Sequence, residues 1–297
     1  MLLVVLAAAF AGAAFWVLAD DAAEAPARIA LPAPERAATA PSAATPPEPT
    51  GVAAAEPTPA SDRDDRDDGY DRCMALAMAD PERAVHEARA WRAGGGGDAA
   101  LHCEATARLR GGDGEGAATL LEALGRTAFA PAEARAALFA QAGQIWLEAG
   151  DLTRAYGATT LALALRPDDP DLLTDRAVIA ANAGRFQEAI DDLTRAIDLK
   201  PFRAEAYVLR ASAWRQLGQP ALARDDLARA LAREPLNQEA WLESGILKRD
   251  ARDPVGARAD WEQAIRIAPE TATAALAQAN IARLAGEPEA RGTPPRR

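Results

Sequence analysis

Apolar and polar positions divide the chain into stretches of different character. Leu2 to Leu18 is a run of apolar and small side chains without a charge. Residues 20–70 then carry no aromatic, apart from Tyr70 at their end, and hold nine of the chain's 21 prolines. From residue 71 apolar positions recur at helical spacing, and from 136 they also repeat at a longer period. Pro167, Pro201, Pro235 and Pro269 lie 34 residues apart. Ala155, Ala189, Ala223 and Ala257 keep that period, as do Ala162, Ala196, Ala230 and Ala264. A column of small residues (Gly143, Ala177, Ala211, Gly245) and one of large residues (Phe139, Leu173, Tyr207, Trp241) run in the same register. Such self-similarity marks an array of repeats.

Each 34-residue unit reads as two helices. Ala204 to Leu217 has apolar side chains at helical spacing and stops at Gly218, a residue suited to a left-handed cap. The second helix starts at Pro220, where a first turn needs no proline N–H, and ends at Arg233 before Pro235. Asp253-Pro254 repeats the device with an N-cap aspartate. The small columns predict close helix approach, with the large column filling the adjoining hole.

The pattern resembles the tetratricopeptide repeat, in which an aromatic, a small residue and a second aromatic precede A-x3-F and a closing proline. The second unit shows it as Leu173, Ala177, Ala180, Gly184, Ala189, Leu193, Ala196 and Pro201. The third shows Tyr207, Ala211, Trp214, Gly218, Ala223, Leu227, Ala230 and Pro235. The first keeps Phe139, Gly143, Trp146 and Gly150 but has Thr159 where a large residue is expected. The fourth has Lys248 in the second aromatic column and Arg252 for the turn glycine, so its first helix is expected to be the more exposed.

The resemblance implies an all-α fold, a solenoid in which helix–turn–helix repeats wind into a right-handed superhelix. Repeats are expected at 136–169, 170–203, 204–237 and 238–271, followed by a capping helix at 272–285 and a disordered Pro/Arg-rich tail at 286–297. Residues 71–135 read as degenerate helix pairs of the same type, and the Ala/Pro-rich segment 20–70 as a disordered linker. Repeat-core positions are Phe139, Gly143, Trp146, Ala177, Ala189, Tyr207, Ala211, Trp214, Trp241, Gly245 and Trp261.

In this family the first helices line a concave groove for an extended peptide or a partner helix. The implied groove candidates are Gln144, Thr174, Val178, Asn182, Val208, Ser212, Arg215, Leu242, Ile246 and Arg249. Members that clamp a terminal carboxylate need Lys and Asn in the columns of Ala140/Thr174/Val208/Leu242 and Gln144/Val178/Ser212/Ile246, and neither residue stands there. An acidic rim of Glu148, Asp171, Asp175, Glu205, Glu239, Glu243 and Asp250 would favour an apolar partner segment carrying basic residues. The alternative is that these carboxylates are solvated helix charges.

Residues 1–19 carry two readings. As a signal peptide, Val17 and Ala19 would be the small residues before a cleavage site; as an anchor, Trp16 would sit at the outer interface. Both export the rest of the chain, either anchored at the periplasmic face of an inner membrane or released to the periplasm or beyond. Membrane contact is expected only through this segment.

Composition narrows the function. The net charge of −11 argues against nucleic acid as partner, because phosphate binding needs a clustered cationic face. Every Cys and His lies between 73 and 103: Cys73, His86, His102 and Cys103. Their spacing fits no zinc motif, and no metal or cofactor is expected. In an exported chain the cysteines are expected to pair, closing a 30-residue separation for about 3.5 kcal/mol, with buried free thiols as the alternative. No histidine stands within the repeats to activate a nucleophile, so no catalytic residue is assigned. Asp191-Asp192 and Asp225-Asp226 resemble carboxylate pairs, but they recur at the repeat period and read as a solvated face. The expectation is a non-catalytic interaction scaffold. The alternative is an enzyme or enzyme-associated subunit whose site lies in 71–135.

Overall fold

The computed structural model of the protein describes residues 60–127 and 130–286. The N-terminal apolar run expected to direct export, the expected linker up to residue 59 and the expected tail beyond 286 lie outside the described residues. The described residues are helical almost throughout and form two compact units, divided at Phe129.

The first unit contains α1 (Ala60–Ala79), α2 (Pro81–Trp91), α3 (Gly97–Arg110) and α4 (Gly114–Thr127). Residues 60–70, read as the end of the linker, are helical and extend α1. An acidic, alanine-containing stretch has no prolines to prevent helix once the chain has passed Pro59. Pro81 opens α2, with Asp80 capping it through the Arg83 N–H at 3.1 Å. At the far end, Arg92–Gly96 makes an irregular turn into α3.

The second unit stacks four hairpins and one further helix. The hairpins are α5 (Ala132–Glu148) with α6 (Leu152–Leu165), α7 (Pro170–Asn182) with α8 (Phe186–Leu199), α9 (Ala204–Gln216) with α10 (Pro220–Arg233), and α11 (Gln238–Asp250) with α12 (Pro254–Ile267). The further helix is α13 (Ala272–Gly286). Each second helix packs on the first helix of the next hairpin, and each first helix also touches the next first helix. This is an α-solenoid.

The small column sets the hairpin contact. A Cβ at Gly245 would overlap the Trp261 indole, and one at Gly143 would overlap the Thr159 hydroxyl. Trp261 fills the space that Gly245 leaves, is 0% exposed, and donates its N–H to the Leu242 carbonyl at 3.0 Å. Thr159 needs less room; its hydroxyl turns back to the Ala155 carbonyl at 3.0 Å. The two middle hairpins use Ala177 with Leu193 and Ala211 with Leu227, all buried. Trp146 is likewise 1% exposed. Trp214 and Trp241 pack against the core clusters while staying partly buried: the Trp241 N–H reaches out to the Pro235 carbonyl in the inter-hairpin loop at 2.9 Å.

Helix ends repeat as well. Asp151, Arg185, Gln219 and Asp253 each donate a backbone N–H to the carbonyl five residues earlier, in the preceding helix: Trp146, Ala180, Trp214 and Lys248, at 2.8–2.9 Å. The residue before each has positive φ: Gly150 (81°), Gly184 (73°), Gly218 (68°) and Arg252 (60°). The cap geometry therefore survives the loss of glycine in the fourth hairpin. Nor is α11 more exposed than its neighbours, contrary to the expectation from Lys248. Leu242, Gly245, Ile246 and Leu247 are buried, and Lys248 keeps its ammonium 2.6 Å from Asp260.

Arg252 is exposed and makes no side-chain contact that glycine would forfeit. A non-glycine residue in this region costs about 1–2 kcal/mol, partly offset in glycine by unfolded-state entropy. Arg252→Gly is expected to stabilise the protein by about 1 kcal/mol in urea unfolding. An unchanged or lower midpoint would contradict the cap assignment.

Candidate functional site

In the first unit the candidate chemistry is locked into structure. Cys73 and Cys103 are disulfide-bonded, with an S–S distance of 1.97 Å, and tie α1 to α3. The Tyr70 hydroxyl lies 2.8 Å from His102 Nδ1, and burial holds the His102 imidazole below its ordinary pKa. Glu104, 2% exposed, receives Arg89 Nε at 2.9 Å and Arg108 Nη2 at 3.1 Å, with Arg92 at 3.4 Å. Among the described residues no group of three or more His, Cys, Asp or Glu is placed to hold a metal ion.

The second unit brings the inner-face columns together along α5, α7, α9 and α11. Six of the groove candidates prove to be packing residues. Val208 belongs to the central apolar cluster with Tyr207, Ala240 and Leu247. Leu242 and Ile246 pack with Trp261 and Ala277. Val178 is 2% exposed. The Thr174 hydroxyl is turned to the Pro170 carbonyl at 2.8 Å, and the Asn182 amide to the Val178 carbonyl at 2.8 Å. First helices set side by side need these columns for their own seam, so the accessible face is narrower than the repeat pattern implies. Gln144 is exposed, while Ser212, Arg215 and Arg249 are partly so.

The acidic rim is for the most part already matched by the chain's own cations. Asp171 is paired with Arg203 and lies 3.4 Å from Lys200; Glu205 takes Arg203 at 2.7 Å. Asp250 takes Arg249 at 2.8 Å, and Glu239 accepts the Thr273 hydroxyl at 3.2 Å. Glu148 is exposed. Glu243 is not on a rim at all: it is 1% exposed and receives Arg215 Nε at 2.6 Å. Burial works against the Arg215 charge, but Glu243 and Asp250 outweigh it and hold the guanidinium protonated.

Asp175 is the exception. It is partly buried and makes no ion pair or hydrogen bond among the described residues. Burial, reinforced by Glu205, Asp171 and Asp169, pushes its carboxyl up to about 7, with Arg203 opposing weakly. Sequence columns placed Asp175 among equivalent rim carboxylates and held no signal that it would stand outside the ion pairs that hold Asp171 and Glu205. Asn280 was missed altogether. It extends the Gln144/Val178/Ser212/Ile246 column by one more period onto α13, is 2% exposed, and neither amide atom has a partner.

Behind this face, the paired aspartates resolve differently from their solvated reading. Asp192 and Asp226 are buried and receive Arg176 and Arg210 in two-pronged ion pairs at 2.7–2.8 Å, whereas Asp191 and Asp225 are exposed. Arg210 also reaches Thr194 of the preceding hairpin at 3.0 Å. Asp260 continues the column with Ser244 and Lys248, each at 2.6 Å.

Residues 142–213 match the tetratricopeptide repeat family. The stacked hairpins have the tetratricopeptide fold. Among solved structures, MamA 41-end from Desulfovibrio magneticus RS-1 is 18% identical with a TM-score of 0.50, covering 57% of this chain and 94% of its own. The Cut9–Hcn1 hetero-tetramer of APC/C is 18% identical with a TM-score of 0.50, covering 75% of this chain and 44% of that one. YrrB, described as a tetratricopeptide protein with an unusual peptide-binding site, is 18% identical with a TM-score of 0.47 over 64% of this chain and 96% of that one. No curated protein matches the sequence.

The proton on Asp175 links stability to pH. The native state keeps it up to about pH 7, whereas an unfolded aspartate releases it near pH 4. The native state therefore binds the extra proton across that window, and this site's contribution falls as pH rises through it. Asp175→Asn is expected to raise the Tm at pH 8 and leave it nearly unchanged at pH 4. An equal shift at both pH values would contradict the assignment.

Proposed function

We propose that the protein is a non-catalytic interaction scaffold whose first-helix face binds a peptide or a partner protein. One observation carries this reading: packing columns stay fixed through the array while the inner-face columns change at every repeat. Gly143, Ala177, Ala211 and Gly245 are all small, yet the accessible inner-face positions Gln144, Ala181, Ser212, Arg215 and Arg249 share neither size nor polarity. A surface that differs at each step offers position-specific contacts along its length, which suits an extended or helical partner. The Cut9–Hcn1 assembly supports the reading by analogy of fold, since there a chain of this fold sits in a protein complex.

The partner segment is apolar with basic residues, because Asp175 on this face is partly buried and is held in no ion pair or hydrogen bond among the described residues. A photo-crosslinking residue in place of Ser212, in the full chain inside cells, is expected to capture a protein that the same residue at exposed Ala259 on α12 does not. Identical capture from both positions, or none from Ser212, would overturn the scaffold reading.

The chain acts outside the cytoplasm, tethered or released through its N-terminal segment. The Cys73–Cys103 bond supports this, because disulfides persist in oxidising compartments and are rare in reducing ones. Among the described residues no helix is long and apolar enough to cross a membrane, and Leu2–Leu18 lies outside them. A β-lactamase fused after residue 297 is expected to confer ampicillin resistance on a bacterial host. Resistance that persists after deletion of residues 1–19, or that never appears, would contradict export through this segment.

A further inference from the structure

A shallow notch opens where α7, α8 and α9 meet, walled by Val178, Ala181, Leu209, Ser212 and Gln216. Ala181, with its small side chain, leaves the space, and Leu209 in the middle of α9 forms another wall. Ala181 and Leu209 stand 28 residues apart, the same separation as Arg215 and Glu243, which form the buried ion pair one repeat later. The register thus brings the twelfth position of each repeat to the sixth position of the next. Applied one repeat earlier, it brings Leu147 to Asp175. Glu243 has its arginine; the equivalent place beside Asp175 holds leucine.

Asp175 lies one helical turn before Val178 on α7, and Glu205 one turn before Leu209 on α9. One turn is about 5 Å, within the span of two residues of an extended chain. Every charged neighbour of Asp175 is accounted for. Asp169 is paired with Arg166, and Asp171 and Glu205 share Arg203, with Lys200 on Asp171. Four carboxylates there face three cations, one of which, Arg166, is shared with Glu133.

Resting on the scaffold reading and deepening it, we infer that this notch and Asp175 form a two-part docking subsite for a partner segment. An apolar side chain of the segment seats between Ala181 and Leu209. An arginine or lysine beside it supplies Asp175 with the cation that Leu147 cannot. The charge complementarity is specific to this step of the array, because the next step is closed internally by Arg215 and Glu243. The raised Asp175 pKa agrees, since four carboxylates crowd the site with too few cations. Binding weakens as pH falls through about 7, when Asp175 takes up its proton.

The test uses the full chain and a fluorescein-labelled, end-capped peptide Ser-Gly-Leu-Arg-Leu-Gly-Ser, beside the same peptide with Gln for Arg. Wild-type protein is expected to prefer the Arg peptide by about tenfold, the ratio that one partly exposed charge pair of about 1.4 kcal/mol supplies. Asp175→Asn removes the preference and leaves the Gln peptide unaffected. Leu147→Arg also removes it, by pairing with Asp175 from within, and brings the Asp175 carboxyl resonance back to an ordinary titration in carbon-13 NMR. Equal binding of the two peptides by the wild type, an Asp175→Asn protein that keeps the preference, or no binding of either peptide at about 1 mM would overturn the subsite. Crosslinked partner capture at Ser212 that survives Asp175→Asn would sink this inference and leave the scaffold standing, whereas absence of any capture sinks the scaffold itself.

Discussion

The whole array depends on one contact, the fit between a small residue on each first helix and the side chain opposite it on the second. Gly245 admits the full indole of Trp261, Gly143 admits Thr159, and Ala177 and Ala211 admit leucines. Burying an indole removes roughly 200 Å² of surface from water, or about 5 kcal/mol at 25 cal/mol per Å², so the close approach is strongly favoured wherever the backbone permits it. The glycine costs about 1 kcal/mol in a helix interior. The exchange is favourable, and it fixes how near the two helices lie. Everything on the inner face inherits its position from that distance.

Polar contacts then fix the order of the hairpins more than their existence. Arg210 spans from Asp226 in its own hairpin to Thr194 in the one before, and Arg176 does the same with Asp192 and Thr160. Pairs of this kind contribute little net stability over an apolar substitute, but losing one partner leaves a buried charge at about 3–5 kcal/mol. They penalise a slipped stack without greatly deepening the correct one. The first hairpin has Ala142 and Ala158 at the matching positions, and so begins the ladder without belonging to it.

Much of this was legible in the chain. The 34-residue period gave helix number, hairpin order, the turn column and the small column, because each follows from local sterics that repeat without change. The side-chain environments were less legible, for a physical reason. Val208 and Leu242 share a column with nominal groove residues, yet adjacent first helices use that column for their own seam. Asp192 and its exposed neighbour Asp191 differ by only one position, which on a helix is a rotation of about 100° and separates an ion pair from solvent. Arg252 in place of the turn glycine suggested a more exposed first helix; the surrounding hydrogen bonds impose the left-handed conformation on it regardless. Helix α1 reaches back to residue 60 because charge alone does not unmake a helix.

A repeat fold separates what must stay constant from what is free to vary, and one register shows it. The contact between position twelve of one repeat and position six of the next takes a different form at each step of the array. By register it is leucine against Asp175, while the structure shows alanine and Leu209 lining one notch and arginine paired with Glu243. None of the three disturbs the hairpins, since the small column and the caps already hold the backbone. The same geometry therefore yields a solitary carboxylate, an apolar notch and a closed ion pair in sequence. Packing supplies the spacing between them, and the spacing makes the three act as one surface. A globular core rarely permits such substitution, because there each buried position answers to neighbours on every side.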